Sequence, residues 1–495
     1  WVTFIKHCLG SAFFYLNFIY RHNMNSKDQQ RDNKKRPIMI LGCTSDAGKS
    51  LIVTAICRLL ANRGVKVAPF KAQNMSNNAA ITEAGLEMGR AQYLQALAAR
   101  AIPSVLMNPV LLKPSAETFS QVIVNGVVNN KISQLPWMER KYLLWTEVQY
   151  ALHRLQDDYD QVIIEGAGSP AEINLRAGDI VNMSVALECQ ADVYLVSDID
   201  RGGSFAHLLG TWACLAPDEQ KLIKGFVLNK FRGDPLLLGN AMDWLEEKTG
   251  IPTVANLPYY RHQLPEEDSF RLGSQWQRGK INVALIYYPY ASNLDEFDPL
   301  LYQDDVNLVP VHQNMDLSRF DALILPGSKN SGVSLTFLTA TGLDKQIQQF
   351  KTTGKLILGI CGGLQILGKT ILDPLHIEDG DKQGLALIDL QTEIFGDKST
   401  RQRSLDWLEN SIKGYEIHHG KTISGAALDD FIAVDIGWQQ ANVYTTYLHG
   451  LFANKVFYNW FMMQIGGLEN GFEWADHLDH ELDKLADMFA DHGWL

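Results

Sequence analysis

Two short segments, one in each half of the chain, carry residue types that could do chemistry. The first runs from Gly42 to Ser50 and reads GCTSDAGKS, between the apolar run PIMIL and the helical pattern LIVTAICRLL. In such a loop, glycines let backbone N–H groups curl around phosphate oxygens, a lysine neutralises the β- and γ-phosphates, and a serine at the helix start can bind Mg²⁺. The segment has one residue more before its second glycine than the commonest form of this motif. It predicts a nucleoside triphosphate site formed by Gly42, Thr44, Gly48, Lys49 and Ser50.

The second segment, KLILGICGGLQILG, predicts a thiolate nucleophile at Cys361. Small residues on both sides permit a strained strand-to-helix turn, and the N-terminus of the following helix favours the thiolate. The backbone N–H of Gly362 could donate to an oxyanion, with a second donor from Gly327 or Ser328 in LPGSKN. The base must be a histidine brought in by the fold, and His449 in YLHGLF is the best candidate. The alternative is a buried structural cysteine beside a tight turn.

Other polar residues follow apolar runs and are weaker candidates. Glu165 in IIEGAG could bind Mg²⁺ or position a water molecule, or it could simply cap a helix. Asn229 and Lys230 in VLNKFRGD are typical of a turn that contacts the base of a bound nucleotide. We interpret His418 and His419 in GYEIHHG as substrate-facing or structural residues rather than as the base.

Short apolar runs alternate with helix-like stretches, and these elements must position the candidate residues. Buried β-branched runs separated by amphipathic helices favour parallel sheets that are covered on both faces. The polar residues fall at the carboxyl ends of the runs, where open α/β sheets bind their ligands. The runs are PIMILGC, QVIIEGAG, ADVYLVSDID and GFVLNK in the first half, and INVALIYYP, ALILPGS, KLILGIC and NVYTTYLHG in the second. The predicted fold class is therefore α/β, with two doubly wound and mostly parallel sheets.

A polar, turn-rich stretch, YYRHQLPEEDSFRLGSQWQRGK, separates the two halves. In the tail, FEWADHLDHELDKLADMFADHG predicts an acidic amphipathic helix with its leucines facing inward and its charges on a solvated face. The predicted organisation is an N-terminal extension over 1–36, a phosphate-loop domain over 37–262, a linker over 263–279, a second catalytic domain over 280–465 and a C-terminal helical segment over 466–495.

Size, charge and cysteine usage narrow the classes of function. The chain has 495 residues, too many for one ordinary core, and its net charge of −12 without a Lys/Arg stripe argues against nucleic-acid binding. Six scattered cysteines without a CxxC pair or metal-ligand spacing suit a reducing compartment, so we expect a cytoplasmic protein. The apolar start of the chain is similar to a membrane anchor, but Lys6 and His7 interrupt it. We therefore expect no membrane span, with translation starting at Met24.

From residue 37 onward, these motifs together resemble the glutamine-dependent cobyric acid synthases of cobalamin biosynthesis. The segments specific to that family are FKAQNMSNNAAITEAGLEMGRAQYLQALAA, MNPVLLKP, SDIDRGGSFA, YASNLDEFDPL, LPGSKN, CGGLQILG, GYEIHHG and YLHGLF. The first half is similar to the dethiobiotin-synthetase-like P-loop ATPases, and the second half to the flavodoxin-like class I glutamine amidotransferases. The resemblance implies the use of ATP and Mg²⁺, with glutamine as the ammonia donor. It implies a corrinoid substrate, adenosylcobyrinic a,c-diamide, that is amidated at its b, d, e and g carboxylates.

The resemblance also implies roles for particular residues. Cys361 would be the nucleophile and His449 its base, in a Cys–His pair, because the position two residues after the histidine, where many amidotransferases carry an acid, holds Leu451. A magnesium-binding acid downstream of the phosphate loop is matched by Glu87 in GLEMGRAQ. The family-specific loops indicate corrinoid contacts at Gln73, Asn74, Asp200 and Arg201.

Three other functions share parts of this pattern. Cobyrinic a,c-diamide synthase has both domains, but QNMSNN and the RGG loop favour cobyric acid synthase. A partitioning-type ATPase carries an extra lysine early in its phosphate loop, where this chain reads CTSD. A glutaminase with a degenerate ATPase scaffold is disfavoured by the intact Lys49, Ser50 and Glu165. The pattern leaves the oligomeric state open.

Overall fold

The structure, a computed structural model, describes residues 35–116, 119–265, 277–425, 428–469 and 471–492. The predicted N-terminal extension up to residue 34, with the expected start at Met24, lies outside the described residues, as do residues 266–276 of the predicted linker. Across the described ranges, no helix is both long and apolar enough to cross a lipid bilayer.

The first half is built on a six-stranded parallel sheet. Its elements are β1 (Ile38–Gly42), α1 (Lys49–Asn62), β2 (Val67–Phe70), β3 (Gln73–Met75), β4 (Ala79–Ile81), β5 (Glu87–Gly89), α2 (Arg90–Ala98), β6 (Val110–Ala116), β7 (Phe119–Val124), β8 (Val127–Val128), α3 (Asn130–Ser133), α4 (Trp137–Asp158), β9 (Gln161–Glu165), α5 (Met183–Cys189), β10 (Asp192–Asp198), α6 (Ser204–Cys214), α7 (Pro217–Gln220), β11 (Ile223–Phe231), α8 (Ala241–Thr249) and β12 (Thr253–Pro258). The strand order is β12-β11-β10-β1-β9-β2, with every neighbouring pair parallel.

Strand β1 is central in this sheet and is buried on both faces. Met39 and Leu41 belong to one hydrophobic core, whereas Ile40 belongs to another that includes α1. Because successive side chains of a strand point to opposite faces, these two cores lie on opposite sides of the sheet. The sequence of β1 is therefore continuously apolar because both of its faces are buried.

The second half is built on a seven-stranded sheet. Its elements are β13 (Ile281–Ile286), β14 (Ala291–Ser292), α9 (Asp298–Leu301), β15 (Val306–Val311), β16 (Ala322–Leu325), β17 (Gly327–Ser328), α10 (Ser331–Thr341), α11 (Leu343–Lys351), β18 (Leu356–Ile360), α12 (Gly362–Leu367), β19 (Thr370–Leu372), β20 (Lys382–Gln383), β21 (Leu390–Trp407), β22 (Asn410–Ser424), β23 (Asp429–Asp430), β24 (Gly437–Gln440), β25 (Val443–Thr446), α13 (Lys455–Gln464) and α14 (Trp474–Asp491). The order β15-β13-β16-β18-β25-β24-β23 is parallel through β25 and antiparallel beyond it.

The five parallel strands of the second sheet follow the flavodoxin-like order 2-1-3-4-5 when numbered within that half. Both sheets are thus mostly parallel and flanked by helices. The predicted fold class, α/β with two doubly wound sheets, is confirmed.

The long hairpin of β21 and β22 extends from the second half to the first. Tyr415 and Ile417 of β22 share a small apolar cluster with Ala79, Ile81 and other residues of the first half. The Tyr415 hydroxyl also donates to the Ala79 carbonyl oxygen at 3.4 Å. The two halves therefore meet through both apolar and polar contacts.

The C-terminal helix α14 returns to the first half and packs on α1. Its Leu482, Leu485 and Phe489 belong to the same core as the apolar side chains of α1. The predicted inward-facing leucines are thus buried. Some of the charges predicted to face solvent instead form ion pairs with the first half. The Arg58 guanidinium of α1, whose side chain is 0% exposed, pairs with Asp479 at 2.6 Å and Asp483 at 2.7 Å. A buried cation needs such partners, because an unpaired charge inside a protein is costly.

We expect Leu485→Ala to destabilise the first half, although Leu485 lies at the far end of the chain. The side chain is 0% exposed, and removing a buried leucine side chain of this kind costs about 2–5 kcal/mol. Denaturant unfolding followed by tryptophan fluorescence would show an earlier transition. The matched control is Leu468→Ala at a position 80% exposed, for which we expect a change within about 0.5 kcal/mol. Equal effects of the two variants would contradict the docking of α14.

Candidate functional site

The phosphate loop is a sharp turn between β1 and α1 that requires glycine. Gly48 has a φ of +96°, which L side chains rarely adopt, and a Cβ there would lie 2.1 Å from the side-chain nitrogen of Asn229. That nitrogen donates to the Ala47 carbonyl oxygen at 2.8 Å, so Asn229 supports the loop from β11. Lys49 begins α1, and its Nζ lies 3.4 Å from the Gly168 carbonyl oxygen. The loop is therefore braced by two neighbouring segments of the first sheet.

Gly42 and Thr44 form the base of this loop rather than the wall of the adjoining cavity. A Cβ on Gly42 would lie 2.8 Å from the Thr44 carbonyl oxygen and 2.9 Å from Lys49 Nζ. The absence of a side chain at Gly42 therefore leaves room for the lysine to fold back over the loop.

The Glu165 carboxylate, at the end of β9, joins the loop to two residues that the sequence analysis did not identify. Its Oε1 accepts from Ser50 Oγ at 2.8 Å and from Lys71 Nζ at 2.8 Å, and its Oε2 accepts from Gln95 Nε2 at 2.6 Å. Burial alone would raise the pKa of Glu165, but the Lys71 ammonium and these hydrogen bonds lower it below its ordinary value. The carboxylate is therefore ionised at neutral pH.

Ser50 and Glu165 present a hydroxyl oxygen and an ionised carboxylate at the wall of the cavity. Oxygen donors of this kind fit a magnesium ion that takes its remaining ligands from phosphate and water. Within the described parts of the chain, no group of three or more His, Cys, Asp or Glu side chains could hold a metal ion by itself.

The loop lines a cavity of about 1320 Å³. This exceeds the roughly 300–1,000 Å³ of most small-molecule sites, so there is room for more than a nucleotide. Gln73, Asn74 and Arg201 line it as predicted corrinoid contacts should, but Asp200 does not, since its carboxylate pairs with Arg232 at 3.0 Å. Among the residues that the structure describes, the wall carries six cationic and five acidic side chains, namely Lys49, Lys71, Arg90, Arg176, Arg201 and Lys230, and Asp46, Glu165, Glu172, Asp179 and Glu219.

The prediction that Glu87 binds magnesium is corrected by the structure. Glu87 does not line the cavity, and its carboxylate pairs with Lys113 at 2.6 Å and with Lys398 at 2.6 Å. Although burial opposes it, these two ammonium groups lower the pKa of Glu87 to about 2. Strand β5 directs Glu87 toward the long hairpin of the second half, because Lys398 belongs to β21. Glu87 therefore joins the two halves.

Cys361 occupies the predicted strained turn between β18 and α12. Its φ of 52° and ψ of −106° are unusual for a residue with a side chain, and such strain is common at nucleophiles. A Cβ on Gly363, two residues later, would lie 2.1 Å from the Leu325 carbonyl oxygen, so only glycine lets α12 approach β16 this closely. The Cys361 side chain is 7% exposed and lies 3.6 Å, measured from Sγ, from the Ile417 carbonyl oxygen.

His449 lies beside Cys361 and is oriented by an acid that the sequence analysis missed. Its Nδ1 lies 3.0 Å from Glu296 Oε1, while Glu296 Oε2 accepts from the Gly450 backbone N–H at 3.1 Å. Burial alone would lower the pKa of His449, but the Glu296 carboxylate and the Cys361 side chain raise it to about 10. The imidazole is therefore protonated at neutral pH, and an imidazolium beside the sulfur favours the thiolate.

The remaining ring nitrogen of His449, Nε2, is buried and makes no hydrogen bond of ordinary length within the described chain. Cys361 nevertheless interacts with the ring strongly enough to raise its pKa. Catalytic hydrogen bonds are often long before substrate binds. Cys361 and His449 therefore lie near each other, and their role as a Cys–His pair stays a prediction. Tyr415 stacks on the imidazole at a centroid distance of 5.2 Å.

The predicted oxyanion donors lie in two loops that meet beside the cysteine. A Cβ on Gly362 would lie 2.5 Å from the Ser328 backbone nitrogen, so Ser328 packs directly against the first residue of α12. Gly362 begins α12, and the first N–H groups of a helix have no partner within it. Gly327 instead packs against the His449 ring, since a Cβ there would lie 3.1 Å from Cε1. We therefore favour Ser328, alongside Gly362, as the second donor.

His418 and His419 have structural partners of their own. His418 Nε2 lies 3.2 Å from Glu416 Oε2, and its ring stacks on Tyr447 at 3.8 Å. Burial, with the nearby Lys329 and Lys398 ammonium groups, lowers the pKa of His419 to about 3, while its Nδ1 lies 3.2 Å from the Phe395 carbonyl oxygen. His449 is thus the histidine placed to act on the sulfur.

We expect Glu296→Gln to shift the alkaline limb of the pH profile of glutamine hydrolysis to lower pH. The carboxylate raises the pKa of His449, so its loss lets the imidazolium, and with it the thiolate, be lost at lower pH. Glutamate release measured as kcat/KM across the neutral and alkaline range would show the shift. Glu409→Gln removes an exposed carboxylate of the same half and is the control. An unchanged alkaline limb in Glu296→Gln would contradict this role.

The residues that the sequence analysis missed had weak signals. Lys71 directly follows the apolar run VAPF, and Glu296 lies in YASNLDEFDPL, a segment already recognised as family-specific. An acid brought to His449 from 153 residues away cannot be identified by local spacing. Gln95 lies in the family-specific segment that begins at Phe70, but inside a helical pattern nothing distinguished it from its neighbours.

Comparisons with known proteins agree with this geometry. Residues 38–271 match the family model of the CobQ/CobB/MinD/ParA nucleotide binding domain, and residues 282–457 match that of the CobB/CobQ-like glutamine amidotransferase domain. A cobyric acid synthase of Deinococcus radiodurans is 47% identical over 473 residues, covering 90% of this chain and 97% of that protein. The cobyric acid synthases of Variovorax paradoxus and Acidovorax sp. are 46% and 47% identical, covering 92% and 85% of this chain and 97% and 91% of those proteins. With both catalytic domains present and this identity over most of its length, the chain belongs to the cobyric acid synthase family and is a glutamine-dependent amide-forming ligase.

Proposed function

We propose that this chain uses ATP, Mg²⁺ and glutamine to amidate the b, d, e and g carboxylates of adenosylcobyrinic a,c-diamide, which gives adenosylcobyric acid. The observation that carries the proposal is the large cavity, of about 1320 Å³, whose wall includes the phosphate loop and several cationic side chains. A corrinoid carries its carboxylates on flexible peripheral arms. Arg176 and Arg201, whose side chains are 41% and 60% exposed, could receive these arms one at a time beside the nucleotide.

In the second half, the Cys361 thiolate attacks the side-chain amide carbon of glutamine. The resulting oxyanion accepts hydrogen bonds from backbone N–H groups at Gly362 and Ser328. The His449 imidazolium gives its proton to the departing nitrogen, so that ammonia leaves and a glutamyl thioester remains. His449 then removes a proton from water, and the hydroxide attacks the thioester and displaces the sulfur as thiolate. The glutamate carboxyl loses its proton to solvent, so the thiolate and the imidazolium are both restored. Glu296 holds Nδ1 throughout, so the proton is exchanged at Nε2.

In the first half, a corrinoid carboxylate attacks the γ-phosphate of ATP, and ADP leaves. Ammonia then attacks the acyl phosphate, releasing inorganic phosphate and leaving an amide. Lys49 and the backbone N–H groups of the loop stabilise the transferring charge. A magnesium ion held by Ser50 and Glu165 would neutralise phosphate charge in the same place. The activation step is needed because a free carboxylate is a poor electrophile.

The proposed partners are the corrinoid, ATP and glutamine, with no nucleic acid and no membrane. We also propose that the protein acts in the reducing cytoplasm. The cysteines within the described residues are all free thiols, and the proposed chemistry needs Cys361 in its reduced form.

The test is to incubate the purified protein with the a,c-diamide, Mg·ATP and glutamine labelled at its amide nitrogen. We expect four labelled nitrogens in the product by mass spectrometry, with one ADP formed for each amide. The same assay with cobyrinic acid as substrate tests the alternative activity. Amidation of cobyrinic acid at the a and c positions instead would support the diamide synthase, the alternative left open by the domain composition.

A further inference from the structure

The two adjacent acids of one short turn contact the two halves of the protein. The 3-10 turn Leu294–Phe297 follows β14, and both Asp295 and Glu296 are 6% exposed. Glu296 binds His449, the base of the second half, at 3.0 Å. Asp295 Oδ2 lies 2.5 Å from Nε of Arg90, the first residue of α2 in the first half. A displacement of this turn would therefore move the contacts to both His449 and Arg90.

Helix α2 carries the connection on to the phosphate loop. Arg90 lines the cavity. One and a half turns later in the same helix, Gln95 donates to Glu165 Oε2 at 2.6 Å, and Glu165 accepts from Ser50 Oγ at 2.8 Å. A continuous series of contacts thus runs from the nucleotide loop, through Glu165 and α2, to Asp295 and the base.

A second set of contacts fixes the turn to the first half. The Asn293 backbone N–H donates to Asn78 Oδ1 at 2.9 Å, and the Ala79 N–H donates to Asn293 Oδ1 at 3.2 Å. Asn78 also accepts, through its carbonyl oxygen, from the Arg90 N–H at 3.2 Å. Tyr415, which stacks on the His449 ring, donates to the Ala79 carbonyl oxygen. The surroundings of the base are therefore built partly from the first half.

We propose that Arg90 and Asp295 are positioning residues for glutamine hydrolysis: they hold the turn so that Glu296 orients His449, and a ligand in the cavity strengthens this hold. Arg90 is the residue of this series that both lines the cavity and pairs with the turn. Anionic ligands beside the guanidinium order its side chain, and an ordered guanidinium fixes Asp295. Hydrolysis of glutamine is then fastest when the first half has a carboxylate to amidate, so that ammonia is not wasted. The inference rests on the proposed function.

The experiment measures glutamate release by the full chain without ligands, with Mg·ATP, and with Mg·ATP and the a,c-diamide. For the unmodified chain we expect the ligands to raise kcat by about 5- to 150-fold, if the effect on the rate matches the effect that coupled sites usually have on affinity. In Asp295→Asn we expect the stimulated kcat to fall to the unstimulated value while KM for glutamine is unchanged. Asp295 does not line the cavity, so amidation driven by ammonium salts should persist and report that the first half is folded.

Two further variants make the result specific. Asp304→Asn removes an exposed carboxylate of the same half and should keep full stimulation. Arg90→Lys, which keeps a cation at the turn, should retain more stimulation than Arg90→Gln, and adding Asp295→Asn to Arg90→Gln should cause no further loss of stimulation. Full stimulation in Asp295→Asn, or no stimulation of the unmodified chain by any ligand, would overturn the proposal. Stimulation by Mg·ATP without amidation of the diamide would instead refute the proposed substrate and leave the coupling supported.

Discussion

Replacing Cys361 by serine is expected to abolish glutamine-dependent amide formation while leaving amidation from ammonium salts intact. A serine hydroxyl stays protonated where the cysteine would supply a thiolate to attack the amide. Loss of a catalytic nucleophile costs at least about 10⁴-fold in kcat. The first half does not need the sulfur, since its cavity is lined by residues of the first half and of α14. Rates of ADP formation and amide formation, measured with each nitrogen source, separate the two effects.

Cys214→Ser is the matched control for this substitution, because it makes the same chemical change at a thiol in α6 of the first half. We expect that variant to form amide from glutamine and from ammonium salts at the rates of the unmodified chain. If Cys361→Ser lost both activities equally, the division of labour between the halves would be wrong.

Replacing Lys49 by alanine is expected to remove amidation from both nitrogen sources. Lys49 begins α1 at the cavity wall, where its ammonium group can neutralise the phosphates during transfer. Removal of one preorganised group that stabilises transition-state charge typically lowers kcat by about 10²- to 10³-fold. The measurement is amide formation from saturating ammonium salts, which bypasses Cys361. Lys248→Ala, at an exposed position in α8, should behave like the unmodified chain.

Retained ammonium-driven amidation in Lys49→Ala would refute the assigned role of the loop. Basal glutamine hydrolysis is a useful second readout of the same variant. The Cys–His pair lies in the second half, so its unstimulated rate should persist and show that the protein is folded.

The parts of the site that are local in sequence could be predicted, and the parts brought together by the fold could not. The loop from Gly42 to Ser50 and the turn at Cys361 are each formed by consecutive residues between a strand and a helix. Their glycines are needed for backbone reasons that the sequence alone reveals. The position of Glu296, by contrast, depends on how the connection between β13 and β15 brings it to His449, which follows β25. No spacing rule along the chain contains that information.

Glu87 shows the opposite failure. Its distance along the chain from the phosphate loop matched that of a magnesium-binding acid, but β5 belongs to a small two-stranded sheet outside the main sheet. Its carboxylate consequently meets the hairpin lysine, Lys398, instead of the nucleotide loop. The leucine pattern of α14 was correct, yet an amphipathic pattern does not identify the surface that a helix covers. In each case the sequence pattern did not reveal which part of the fold the residue or helix would contact.

The return of α14 to the first half has a consequence for how the protein is made. The ribosome completes every strand of the first sheet, and then the whole second half, before it reaches Met488 and Phe489, which line the nucleotide cavity. Until α14 has been synthesised, the apolar side chains of α1 that it covers in the complete protein are therefore exposed to water. For the same reason the two catalytic halves could not be separated into independent genes by a single cut at the linker, because the fragment that binds ATP would lack one wall of its own site.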